Sequence, residues 1–154
     1  MRNSKAGFTI LEILMVVVIL AILVGISYTA FNNLNSSEAL DTETNTILSM
    51  IERARERTIS SENSIEYGVH FASTTAVLFV GKTYSAGSST SETKNINSKV
   101  KVNSINLTGG VADIYFNKLS GKPSATGTIV FSLLSSTSSV KTITIYNTGL
   151  SDVK

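Results

Sequence analysis

The chain has 154 residues, no cysteine, and 13 Lys and Arg against 11 Asp and Glu, for a formal net charge of +2. That length supports one modest core and needs no second domain. The missing cysteine excludes a disulfide framework, and the near balance of charge excludes the long-range attraction on which a strongly basic nucleic-acid binder depends.

The chain opens with a short leader, Met1 to Gly7, that carries Arg2 and Lys5 and no acid. An apolar run of 24 residues follows, Phe8 to Phe31, interrupted by a single carboxylate at Glu12. At ~1.5 Å of rise per residue, a helix of that length exceeds the ~20 residues needed to cross a bilayer. A secretory signal peptide would have a shorter apolar core with a small residue behind it, whereas here the small residue, Gly7, stands in front. A cut at that glycine would keep the span in the product. A carboxylate inside a span costs up to ~3 kcal/mol at the bilayer centre and less near an interface, so Glu12 calls for a partner. If the chain is cut between Gly7 and Phe8, the new α-ammonium of Phe8 supplies one, in the same subunit or in a neighbour. The first charges beyond the span are Glu38, Asp41 and Glu43, so the positive-inside rule places the N-terminus in the cytoplasm and the rest of the chain outside it.

The segment Gly7-Phe8-Thr9-Ile10-Leu11-Glu12-Ile13-Leu14, behind a basic leader, resembles the processing and methylation motif of type IV pilins and type II secretion pseudopilins. The resemblance covers residues 1 to about 31. It implies cleavage after Gly7 by a membrane-embedded prepilin peptidase, N-methylation of Phe8, and packing of the mature chain into a helical fibre with other pilin or pseudopilin subunits. Glu12 would act there as the assembly residue. Inner-membrane lipid and an inner-membrane assembly platform are the further partners it implies. Many major type IV pilins close a C-terminal loop with a cystine, which this chain cannot do, so the resemblance tilts towards a pseudopilin or a minor subunit.

Beyond the span, Leu40, Ile47, Ile51, Ala54 and Thr58 keep a helical period, and the helix is expected to run from Phe8 to about Ser60 without a proline. Thr29 stands where many major pilins carry a helix-bending proline, and Gly25 is the weak point nearby. Glu52, Arg53, Arg55, Glu56 and Arg57 read as a solvated outer face, with contacts to adjacent subunits as the alternative. From Ser64 the period changes to two: Ile65, Tyr67, Val69 and Phe71 alternate with Glu66, Gly68 and His70, a strand with one wet face. A hairpin partner is expected at Ala76 to Tyr84, an exposed loop at Ser85 to Asn95, and further strands at 96–107, 111–117, 128–134 and 140–146. The expected fold is α+β, one long N-terminal helix packed on an antiparallel β-sheet. Its segments are a leader at 1–7, a membrane and assembly helix at 8–31, an amphipathic continuation at 32–61, and a sheet domain at 62–154 outside the cytoplasm.

The second half adds a looser likeness. Ile114-Tyr115-Phe116-Asn117, Gly121, Gly127 to Phe131, and Thr142-Ile143-Thr144-Ile145 before Gly149 are similar to the C-terminal pattern of the H-type minor pseudopilins, as is Ile51 to Arg55 leading into the first strand. Any antiparallel sheet needs turns of this kind.

Chemistry other than assembly finds little support. His70 is the only histidine, read as solvated, and no cysteine joins it to complete a transition-metal set. Asp41, Asp113 and Asp152 do not form a calcium loop, and no nucleophile motif or phosphate loop is present. No enzyme activity, cofactor or metal is expected. Lys99 and Lys101 would share a strand face, with Lys82, Lys94, Lys118 and Lys122 on nearby loops, a basic surface that would meet DNA phosphates in a DNA-uptake pilus. The alternative is that these lysines keep a sheet edge soluble. Asn35-Ser36-Ser37 and Asn106-Leu107-Thr108 fit the N-glycosylation pattern and receive no role. The reading is a minor pseudopilin of a type II secretion pseudopilus, with a minor pilin for DNA uptake or adhesion as the alternative.

Overall fold

The computed structural model describes residues 7–60 and 64–154 and, within its helix, every side chain but those at 28–33. The leader charges Arg2 and Lys5, and the side chain of Thr29, lie outside the described residues.

Among the described residues the one α-helix, α1, runs Ile10–Ile59. It begins where Thr9 caps it: the Glu12 amide donates to Thr9 Oγ1 at 3.2 Å and the Ile13 amide to the Thr9 carbonyl at 3.2 Å. It ends at Ser60, whose amide donates to the Glu56 carbonyl at 2.8 Å. Two compact units divide the chain, one up to Asn35 and one from Ser36.

In the first unit, Ile10–Ser27 has a mean hydropathy of 3.0 and none of it is buried. Among the described residues this is the one helix long and apolar enough to cross a membrane. Ser27 satisfies its hydroxyl inside the helix by donating to the Leu23 carbonyl at 2.8 Å, as a polar side chain in an apolar span must.

In the second unit, Leu40, Ile47, Met50, Ile51 and Ala54 bury one face of α1 at the three- and four-residue spacing of an amphipathic helix. Thr58 ties the helix end to the sheet, donating to the Ala54 carbonyl at 2.9 Å while accepting the Tyr67 amide at 2.9 Å. Among the described residues eight strands follow: β1 (Tyr67–Phe71), β2 (Thr75–Val80), β3 (Glu92–Asn95), β4 (Val100–Leu107), β5 (Asp113–Tyr115), β6 (Gly127–Leu133), β7 (Val140–Ile145) and β8 (Ser151–Val153). They form two antiparallel four-stranded sheets, ordered β3-β2-β1-β5 and β4-β6-β7-β8. Val69 faces Leu78 on one side and Ile114 on the other, and Ile129 lies between Ile105 and Ile143. These inward residues share one core with the helix. Full burial of a Phe, Ile or Leu side chain stabilises by ~1.5–3 kcal/mol, so Phe71, Phe116 and Phe131 are principal contributors.

The α+β class expected from sequence is what the chain adopts, with several corrections. The single expected sheet is two. The chain leaves the first sheet for β4, returns for β5 and leaves again, because alternating apolarity sets which face is buried and not which edge a strand joins. The expected loop at Ser85 to Asn95 ends in β3, a polar strand of Glu, Thr, Lys and Asn held by backbone pairing to β2. The partner strand expected to reach Tyr84 stops at Val80, where Gly81 takes a φ of +100°. A last strand, β8, was not expected.

His70 is partly covered and not freely solvated. Its ring stacks on Tyr84 with centroids 3.9 Å apart and 4° between planes, and Phe79 meets Tyr84 edge-on at 5.8 Å. His70 Nδ1 also bonds Asp113 Oδ1, on its register partner across β1 and β5. Tyr84, on the segment after β2, thus folds back over His70 and Phe79 on the far face of the first sheet, where Gly68, Val77 and Phe79 are buried. A strict alternation of wet and dry does not reveal a second cover of this kind.

Candidate processing and assembly site

Gly7 and Phe8 precede the cap at Thr9. A Cβ added to Gly7 would meet nothing within 4 Å, and Phe8 is 80% exposed, so the peptide bond between them is open to another protein. Glu12 is the third residue of α1. Its backbone is fixed by the Thr9 hydroxyl, while its side chain is exposed and forms no ion pair among the described residues. Thr9 and Glu12 have the spacing of a capping box, a threonine followed three residues later by a glutamate. The sequence carried that signal, and Thr9 belongs beside Gly7, Phe8 and Glu12 as the residue that sets where the helix begins.

Every large apolar residue described from Phe8 to Ile26 is exposed. At ~1.5–3 kcal/mol for each side chain taken out of water, so continuous a surface requires lipid or neighbouring helices around it.

On the second unit, the charges expected to lie free are largely engaged. Glu66 takes both Lys82 and Lys118 at 3.7 Å, Lys94 pairs with Glu43 at 3.4 Å, and Lys141 with Asp41 at 2.9 Å. The expected basic surface therefore reduces to Lys99, Lys101 and Lys122, which form no ion pair among the described residues. Lys99 and Lys101 do not share a strand, since Lys99 sits in the turn before β4, its amide bonded to Asn97 Oδ1 at 2.9 Å. Lys141–Asp41 is a surface pair of the kind that contributes only ~0–1 kcal/mol, whereas the side chains of Glu66 and Glu43 are largely buried; all of these pairs neutralise lysines that would otherwise charge the surface.

The helix face expected to be solvated is half used in packing. Arg53 pairs with Glu92 of β3 at 2.8 Å, Arg55 Nε donates to the Gly121 carbonyl at 3.3 Å, and Arg57 lies 5.7 Å from the Tyr67 ring centroid. Glu52 and Glu56 stay exposed. Among the described residues no three His, Cys, Asp or Glu side chains group to hold a metal ion.

A family profile described as the prokaryotic N-terminal methylation motif matches residues 2–28. The structure is similar to that of the type IV minor pilin FimU of Pseudomonas aeruginosa strain PAO1, with a TM-score of 0.55 over 75% of this chain and 92% of that one, at 12% identity. At that identity the likeness speaks to fold. No curated protein matches the chain in sequence.

The chain thus carries an N-terminal methylation motif on one apolar helix, continued by an α+β domain whose fold resembles that of a type IV minor pilin. The motif implies processing by a prepilin peptidase and assembly with other pilin subunits, and the apolar helix fits a single-pass anchor of a fibre subunit.

Proposed function

We propose that this chain is a minor structural subunit of a fibre built from the inner membrane, cut between Gly7 and Phe8, N-methylated at Phe8, and packed through α1. The N-terminus lies on the cytoplasmic side and the two-sheet domain on the other. Its work is mechanical, without catalysis or cofactor. The observation that carries this reading is an exposed Gly-Phe bond directly ahead of a capped helix whose apolar first stretch, Ile10–Ser27, is unburied and holds one carboxylate at its third position. In that helix Glu12 neutralises the Phe8 ammonium of an adjacent subunit, which offsets the ~3 kcal/mol at most that an unpaired carboxylate costs in the span.

The machine is proposed to be a type II secretion pseudopilus, on the likeness of the C-terminal pattern to that of the H-type minor pseudopilins. The glycines of that pattern have structural work in this fold, since Gly121 and Gly149 meet each other beneath the end of α1. A second reading, a minor pilin of a type IV pilus for DNA uptake or adhesion, draws support from the likeness to a type IV minor pilin. Its DNA form is weakened by the capture of Lys82, Lys94 and Lys118 in ion pairs.

Intact-mass and N-terminal analysis of the membrane-extracted protein, with and without its prepilin peptidase, tests the proposal. A chain that starts at N-methyl Phe8 only in the presence of the peptidase is the expected result. A chain that starts at Met1 in both cases leaves a plain anchor and removes the role given to Glu12.

A further inference from the structure

The second unit holds a recess of about 310 Å3 where residues of its two sheets come together. Asp113 and Tyr115 of β5 and Lys82, just past β2, line it from the first sheet. Thr108, just past β4, and Ser124, ahead of β6, line it from the second. A recess at the small end of the ~300–1,000 Å3 range suits one small ring rather than an extended chain.

Its polar atoms are held from behind and left open in front. His70 Nδ1 donates to Asp113 Oδ1, and the His70 ring is itself stacked on Tyr84 with centroids 3.9 Å apart. Asp113 Oδ2 forms no hydrogen bond among the described residues. The Ser124 hydroxyl accepts the Tyr115 amide at 3.0 Å, which leaves its proton to give. The Thr108 hydroxyl donates to the Thr126 carbonyl at 2.9 Å, which leaves its lone pairs to accept. The Tyr115 hydroxyl has no partner among the described residues. Lys82 Nζ stands 3.7 Å from Glu66 Oε1, near enough to balance its charge and too far for a hydrogen bond. Val111, 42% exposed, adds an apolar wall.

Such a set discriminates between classes of ligand. The lining holds one charge of each sign, Lys82 and Asp113. Lys118 shares Glu66 with Lys82, and Lys122 is exposed two residues before Ser124; neither lines the recess. An ammonium would meet Lys82 and leave the donors idle, whereas a carboxylate or phosphate would meet Asp113 and leave the acceptors idle. A neutral polyol, each of whose hydroxyls both donates and accepts, uses donors and acceptors together. Val111 offers contact to the C–H face of a sugar ring. The bond from His70 holds the Asp113 carboxylate at a fixed angle, the support from behind that a directional acceptor needs.

We infer that this recess binds a neutral sugar unit, one hexose or N-acetylhexosamine of a larger glycan, with Asp113 Oδ2 as the principal acceptor and Ser124 and Lys82 as donors. Thr108 and Ser124 are exposed, so the rim is open for the rest of the glycan to extend away. The inference goes beyond the fibre reading and concerns the second unit alone, and it does not depend on cleavage or assembly.

The full-length chain, extracted into a detergent without a sugar head group, is mixed with millimolar methyl glycosides of glucose, galactose, mannose, N-acetylglucosamine and N-acetylgalactosamine. Binding is read by saturation-transfer NMR, with sialic acid and spermidine run in parallel, and at least one of the glycosides is expected to bind. Tyr115→Phe removes one hydroxyl, keeps the backbone bond to Ser124, and should weaken binding about two- to tenfold. Asp113→Asn keeps an oxygen for His70, replaces the free acceptor by a donor, and should weaken binding about tenfold or more. The unfolding midpoint checks that each variant is folded, and Tyr115→Phe decides the matter if Asp113→Asn is not.

A preference for the acetamido sugars assigns the source to an amino-sugar polymer, and a preference for the plain hexoses assigns it to a neutral polysaccharide. Absence of transfer to every glycoside, equal transfer in the parent and the folded variants, or binding confined to sialic acid or spermidine overturns the assignment. None of these results bears on where the chain begins, which its mass decides separately.

Discussion

Gly149 lies against Gly121 so closely that a Cβ on Gly149 would stand 2.0 Å from the Gly121 carbonyl oxygen. Both glycines have positive φ, +84° and +61°, and the Gly121 carbonyl also accepts Arg55 Nε. Two turns far apart in sequence therefore close over the last turns of α1 only because neither carries a side chain at the crossing.

Gly149→Ala should destabilise the domain by about 1–3 kcal/mol, combining overpacking with backbone strain. Thermal unfolding of the detergent-extracted protein, followed by tyrosine circular dichroism, reads this directly. An unchanged midpoint would mean that the two turns part without cost.

Gly7→Leu should leave the fold intact, because the site is open on every side, yet block cleavage. The expected product is the longer precursor, visible by mass, with the same unfolding midpoint as the parent. Efficient cleavage of this variant would place the cut elsewhere.

Glu12 has two separable properties, its charge and its position in a capping box with Thr9. Glu12→Gln keeps the hydrogen-bonding shape and removes the charge, whereas Thr9→Val removes about 1 kcal/mol of capping and leaves the charge in place. If the ammonium of Phe8 is the partner, Glu12→Gln should reduce fibre incorporation as strongly as Glu12→Ala while cleavage continues. Thr9→Val should mainly speed amide exchange at the helix start, by about five-fold. Normal incorporation of the glutamine variant would assign Glu12 to capping.

His70→Ala removes the ring on which Tyr84 stacks and the partner of Asp113. A lost aromatic contact of ~0.5–1.5 kcal/mol should loosen the segment from Gly81 to Ser91 and quicken tryptic cleavage after Lys82 about two- to tenfold. Unaltered cleavage would show that Glu66 and the turn hold that segment without the ring.

Retention of the purified protein on DNA should be slight at physiological salt, because three of the six candidate lysines are held by Glu66 and Glu43. Glu66→Gln frees Lys82 and Lys118 and should raise retention at low salt, an increase that added salt reverses. Strong retention by the parent, lost in Lys99→Glu with Lys101→Glu, would favour the DNA-uptake reading.

The N-terminal device was legible in the residues themselves, since span length, the lone carboxylate and the glycine before the phenylalanine are local properties of a continuous string. The helix was legible for the same reason, its period unbroken by proline from Phe8 to its end at Ile59. Most strands were legible as alternation, and the α+β class followed from their order after the helix.

Partnership between distant residues was decided by tertiary structure. Nothing in the alternation at 65–71 tells that Tyr84 returns to cover His70, that Glu66 collects Lys82 and Lys118, or that Arg55 caps a turn at Gly121. A polar strand such as β3 has no apolar period to announce it and exists because β2 presents an edge to pair with. Periodicity reports which side of a segment is dry. Only the folded chain determines which other segment makes it so, and thereby which charges are spent within the molecule and which remain for a neighbour.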